Sequence, residues 1–179
     1  NYIKESRLAE DAAAIMEPTC GVGNFLLAAS NTFACSKLIG IEVNAKRADA
    51  ARIEVPSATI ETNDIFNVST KTLCGEDCVL VIGNPPWATN SELSFNLPPK
   101  TNFKGFRGIE AITGSSNFDI CEYIILKLIG EYKHTNSTIC MLCKTSVARN
   151  VVSELSRNHI AYQKVEMLNF NSSKIFGIS

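Results

Sequence analysis

The amino-acid sequence predicts an α/β domain, a mostly parallel twisted sheet with helices on both faces. Three observations carry that expectation. Short apolar runs of strand length alternate with segments of helical character. Polar or acidic residues (Glu17, Glu42, Asp64 and Asn84) fall at the carboxyl ends of successive strand-like runs, where ligands bind in such sheets. A chain of 179 residues, 45% hydrophobic and 20% charged, suffices for one sizeable core and one domain.

The first strand is expected at 12–16, followed by Glu17-Pro18-Thr19-Cys20-Gly21-Val22-Gly23-Asn24-Phe25 and a helix over 24–34. Gly21 and Gly23 tolerate positive φ and let backbone approach a ligand closely. The helix beyond them offers free N–H groups to polar or anionic atoms. A second strand over 38–42 ends in Glu42, a carboxylate suited to the two hydroxyls of a ribose. A helix over 45–52 leads to a third strand, 58–62. Asp64 lies beyond that strand, placed to accept from an adenine amino group while Ile65 and Phe66 pack near the ring. Taken singly, each acid is an ordinary surface or capping residue. Their recurrence on successive strand ends is the informative feature.

A fourth strand, 78–83, runs into Asn84-Pro85-Pro86-Trp87. Asn84 offers a carbonyl acceptor. Two prolines fix the backbone and remove two donors, leaving bare carbonyls. Trp87 supplies a flat stacking surface. Together they suit a planar amine such as the exocyclic NH2 of a nucleobase; the plain alternative is a strand-ending turn with a core tryptophan. The segment 88–116 then breaks the alternation. It is rich in Asn, Ser, Pro and Gly and is expected to be a mobile substrate-side flap, or else a neutral insertion. Further helices are expected at 119–133 and 145–157, with Asp119 and Thr145 or Ser146 as N-caps. Further strands are expected at 137–143 and 161–169.

These residues resemble the class I S-adenosylmethionine-dependent amino methyltransferases of the N6-adenine DNA type. Glu17 to Phe25, with Thr19, Gly21, Gly23 and Asn24, looks like the family's cofactor loop. Glu42, with Val43 beside it, looks like the ribose-binding acid, and Asn63-Asp64-Ile65-Phe66 like the segment contacting the cofactor adenine. Asn84-Pro85-Pro86-Trp87 matches the catalytic motif, in which Asn84 also borders the cofactor. Asn117-Phe118-Asp119 and 139–146 resemble later motifs. Ser173 to Gly177 resembles the motif whose aromatic, here Phe176, helps hold the target base; Phe176 is equally readable as a core aromatic. The order and approximate spacing follow the family over most of the chain.

The resemblance implies a Rossmann-like class I methyltransferase fold over 1–179. It further implies S-adenosylmethionine as cofactor, DNA as partner, and a flipped adenine as substrate. A separate target-recognition domain or subunit is implied, in a restriction-modification or related defence setting in a prokaryotic cytoplasm. Other planar amines (cytosine N4, RNA adenine, protein glutamine) share the chemistry and remain open. So does a non-catalytic methyltransferase-like subunit. A nicotinamide-dependent dehydrogenase shares the glycine turn and the acid, but lacks a third Gly at Leu26 and has no use for Asn84-Pro85-Pro86-Trp87.

Composition excludes some classes. Net charge is −1, so the chain has no global basic footprint for nucleic acid. Lys100, Lys104 and Arg107 form either a local phosphate-contacting edge or a solvated loop. No apolar run reaches the length of a membrane span and no signal-peptide pattern opens the chain. The start without Met and the end soon after an apolar run suggest a piece of a longer protein. The seven cysteines lack zinc-ribbon order, and Cys140 and Cys143 are expected on opposite faces of one strand. His134 and His159 are isolated. Reduced thiols and no metal are the expectation.

Overall fold

The computed structural model describes residues 2–5, 11–34, 37–75, 77–87 and 119–171. In chain order the elements are α1 (Tyr2–Glu5), β1 (Ala14–Glu17), α2 (Asn24–Ser30), β2 (Leu38–Glu42), α3 (Ala45–Glu54), β3 (Ala58–Thr62), a 3-10 turn (Ile65–Asn67), α4 (Thr70–Cys74), β4 (Val79–Gly83), α5 (Ile120–Tyr132), β5 (Thr138–Met141) and α6 (Thr145–Arg157). The strands form one sheet in the order β3-β2-β1-β4-β5, and every pairing is parallel. This is the Rossmann-like order, which reverses direction between β1 and β4 and opens a crevice there.

Apolar runs become strands here because both sheet faces are covered. Alternate residues feed two cores. Ala14, Met16, Ile39, Ile41, Val79 and Val81 pack with Ile124, Leu128 and Tyr132 of α5. Ile15, Leu38, Ile60, Leu80 and Ile82 pack with Leu26 and Ala29 of α2 and with Ala48 and Ala51 of α3. A third cluster joins Cys121 and Ile125 of α5 to Val147 and Val151 of α6.

Five of the six expected strands and the long helices recur, most with shifted ends. β1 begins at Ala14 and includes Glu17. α2 stops at Ser30 rather than 34, because Ser30 Oγ and Thr32 Oγ1 donate to the carbonyls of Leu27 and Ala28 at 2.7 and 2.6 Å and compete for the helix ladder. Asp119 caps α5 as expected, accepting from the Cys121 N–H. α6 spans the expected residues, but its N-cap is Lys144, without a side-chain capping bond, not Thr145 or Ser146. α4, unforeseen, is five residues set between Ser69 and a left-handed Gly75.

The strand expected at 161–169 is absent: 161–171 has no regular structure and is exposed. Strand membership requires main-chain pairing with a neighbour, which local sequence does not encode. Cys140 and Cys143 do reach different clusters, with Cys143 lying beyond the end of β5. The flap expected at 88–116, the pair Asn117-Phe118 and the segment 173–177 with Phe176 lie outside the described residues. Among the described residues, no helix is long and apolar enough to cross a membrane, and no group of three or more His, Cys, Asp or Glu could hold a metal ion.

Candidate active site

Four strand ends build the site, and the glycine loop after β1 is its floor. Gly21 (φ 56°) and Gly23 (φ 92°) are both left-handed, which explains glycine at these two positions. The Cys20 N–H donates to the Ile41 carbonyl at 2.8 Å, tying the loop down onto β2. This contact requires Gly40, because a Cβ there would lie 2.8 Å from Cys20 Sγ and Leu26 Cδ1 and 2.9 Å from Ile60 Cδ1. Sequence reading passed over Gly40 because its role is tertiary: β2 must be bare where the loop crosses it.

Glu17 ends β1 with only 3% of its surface exposed. Burial pushes its carboxyl up to about 8. The Leu26 N–H of α2 partly opposes this, and the nearby Glu42 carboxylate reinforces it. One of the free N–H groups expected for a ligand is therefore spent on Glu17. Oε2 of Glu17 and Oγ1 of Thr19 are both buried with no hydrogen-bond partner among the described residues. Asn24 and Phe25 open α2. Burial and the same two acids push the Cys20 thiol up to about 12, so it is an inert packing group rather than a nucleophile.

Glu42, also buried, accepts from the Gly21 N–H at 2.9 Å and from the Asn44 N–H at 2.8 Å, one on each carboxylate oxygen. Each oxygen keeps a further acceptor site. The glycine loop and the second acid, distant in sequence, are thus directly bonded. Val43 next to them is exposed. The Asn63 N–H donates to the Glu42 carbonyl at 3.1 Å, which brings the third strand end alongside. Asp64 Oδ1 accepts from the Phe66 N–H at 2.9 Å, and Ile65 is buried beneath.

At the end of β4, Asn84 and Pro86 are exposed, Pro85 is buried and Trp87 is half-buried. Trp87 packs against the cluster of Cys121, Ile125, Val147 and Val151, and its indole N–H is buried without a partner among the described residues. Its carbonyl accepts from Lys144 Nζ at 3.2 Å, and the same ammonium pairs with Asp119 Oδ2 at 2.9 Å. Sequence reading did not single out Lys144. The signal was available, since it follows the fifth strand at the same sheet edge as the other site residues.

The resulting edge holds two buried acids, an orphaned hydroxyl and carboxylate oxygen, and an exposed amide. That donor set suits a ligand bearing both hydroxyl and cationic groups, next to a planar amine.

Similarity to known proteins bears on this arrangement. The chain is 39% identical over 165 residues to type II methyltransferase M.NspV of a Nostoc species, covering 86% of this chain and 33% of that protein. It is 29% identical over 133 residues to type II methyltransferase M.CvrRI of Paramecium bursaria Chlorella virus XZ-6E, covering 74% of this chain and 30% of that one. The chain therefore spans about a third of the length of the curated relatives it matches. Among solved structures, an RNA methyltransferase from Salinibacter ruber in complex with S-adenosyl-L-homocysteine matches at 15% identity, covering 45% of this chain and 53% of that chain with a TM-score of 0.35. No family model matches the chain.

Proposed function

From a chain homologous along most of its length to the type II methyltransferases, we propose an enzyme that transfers the methyl group of S-adenosylmethionine to the N6 amino group of adenine in DNA, on a base flipped out of the duplex. The observation carrying this reading is the exposed Asn84 amide, followed by Pro85-Pro86-Trp87, on the strand beside the glycine loop and its two buried acids.

The residues present fit the cofactor. Glu42 keeps an acceptor site on each carboxylate oxygen for ribose hydroxyls. Glu17 Oε2 and Thr19 Oγ1 are buried polar atoms that a ligand ammonium or hydroxyl would satisfy, removing the cost of leaving them unpaired. Asp64, whose Oδ1 accepts from the Phe66 N–H, would accept with its other oxygen from the adenine amino group beside Ile65. When bound, the cofactor supplies an electrophilic methyl group on a sulfonium.

The chain's part in the reaction is positioning and electrostatics. The target nitrogen is a poor nucleophile because its lone pair is delocalised into the ring. Asn84 Oδ1 and the Pro85 carbonyl accept its two hydrogens, favour a more tetrahedral nitrogen and aim it at the methyl group. The same dipoles face the positive charge that develops on nitrogen. Asn84 is an acceptor and orienter, not a base: the nitrogen is cationic and acidic once methylated, and its proton passes to solvent. A base inside the duplex cannot reach this edge, so flipping is required. The accessible part of the Trp87 ring stacks on the extruded base, worth ~1–3 kcal/mol.

The test begins with isothermal titration of S-adenosylmethionine into the chain and into Asp64→Ala, followed by labelled-methyl transfer to DNA, RNA and protein substrates. Binding weakened by the substitution, with label entering adenine N6 of DNA, is the expected result. Label entering cytosine, RNA or protein instead would overturn the substrate assignment.

A further inference from the structure

The tetrapeptide 84–87 is gripped from both sides by one short segment, 142–144, which joins β5 to α6. On its leading side the Leu142 N–H donates to the Gly83 carbonyl at 2.9 Å. On its trailing side Lys144 Nζ donates to the Trp87 carbonyl at 3.2 Å. Between these contacts lie two prolines, which have no N–H with which the loop could anchor itself. Among the described residues, the loop is held at its two ends through the Gly83 and Trp87 carbonyls, by donors from 142–144.

The trailing donor is itself fixed. Lys144 Nζ pairs with Asp119 Oδ2 at 2.9 Å, while Asp119 Oδ1 accepts from the Cys121 N–H at 3.1 Å as the cap of α5. The Asp119 side chain is 10% exposed and that of Lys144 is 40% exposed. The aspartate thus has a partner on each oxygen and rides on a helix whose Ile124 and Leu128 are buried in the core. The geometry ties Trp87 and Asp119, which flank 88–118 in sequence, to one ammonium.

We propose that Lys144, held by Asp119, is the positioning residue of the acceptor loop. It occupies the Trp87 carbonyl and so holds the trailing end of the loop whose Asn84 Oδ1 and Pro85 carbonyl would face the target amine. Neutralised by Asp119, it does so without placing an unpaired positive charge beside a cationic methyl donor. This inference rests on the amine-methylation reading of the site.

Trp87 is the one tryptophan of the chain, so its fluorescence reads the loop directly, independently of activity. In Lys144→Met, a red-shifted emission with greater acrylamide quenching is expected. With it should come a roughly 10–100-fold loss of kcat and a cofactor dissociation constant changed less than about twofold. Lys144→Arg should restore much of the emission and of kcat, since a charged donor of similar reach remains. Should Lys144→Met not fold, Asp119→Asn, which keeps a capping oxygen, provides the same two readouts with a smaller loss. Unchanged emission and kcat in a folded variant would overturn the proposal. So would a loss of kcat with unchanged emission, which would make Lys144 a group acting on substrate directly. If the unsubstituted chain transfers no methyl group to any substrate, the functional reading fails, while the emission of Lys144→Met still decides whether Lys144 holds the loop.

Discussion

Glu17 carries a carboxylate oxygen with no partner among the described residues, in a site whose other acid is bonded on both oxygens. Its folded pKa of about 8 lies above the ordinary 4.5, so its contribution to stability is fully present below about pH 4.5 and is lost as pH rises through about 8. Thermal melts of Glu17→Gln should therefore lie above the unsubstituted chain at pH 8–9, converge with it near pH 5, and follow a flatter profile between. Each kcal/mol gained is worth about 2–4 °C at this chain length. In the proposed reaction Asn84 would act on rate instead. Asn84→Ala should lower kcat by roughly 10²–10³-fold with little change in cofactor affinity, as for the removal of one preorganised dipole. Trp87→Ala should weaken productive capture of adenine more than cofactor binding, and calorimetry finding the reverse would move Trp87 to the cofactor side. The residue types at these positions were legible in the sequence because their chemistry travels with them: an amide, two bare carbonyls and a flat ring. The burial of Glu17 and the anchoring of the Trp87 carbonyl were not, because both depend on groups distant in sequence.

At the scale of elements, the site stands on the fit between the glycine loop and β2. Gly40 is the contact point, and a methyl group there would collide with Cys20, Leu26 and Ile60. Gly40→Ala should cost about 1–3 kcal/mol by overpacking and, by lifting the loop, should weaken cofactor binding as well. A denaturant melt and a titration on the same variant check the two parts. The elements most readily found in sequence were those buried on both faces: β2 and β4 are apolar runs but for the terminal Glu42 of β2, and every residue of each is buried. α3 and α6 were read almost to their ends. α4 escaped notice because five residues carry no periodicity. The segment 161–169 is no strand because strand membership needs a neighbouring main chain, which its own sequence does not reveal.

At the scale of the whole molecule, net charge bears on the proposed DNA substrate. With a net charge of −1, affinity cannot come from a general positive field. If Lys100, Lys104 and Arg107 make the phosphate contacts, the salt dependence of DNA binding should be shallow, with a log–log slope of about 3 at most, and replacing all three with Gln should remove most of it. A much steeper slope that survives the triple replacement would place the phosphate contacts elsewhere. The parallel sheet, the glycine loop and the four strand ends were determined by the sequence alone, since apolar burial, φ preference and side-chain chemistry are local properties. Only the tertiary structure decided which of these ends touch: that Gly21 holds Glu42, that Gly40 admits the loop, and that Lys144 bridges Asp119 and the Trp87 carbonyl. These contacts join residues far apart in the chain, and their energies depend on burial and distance, which exist only once the sheet has formed.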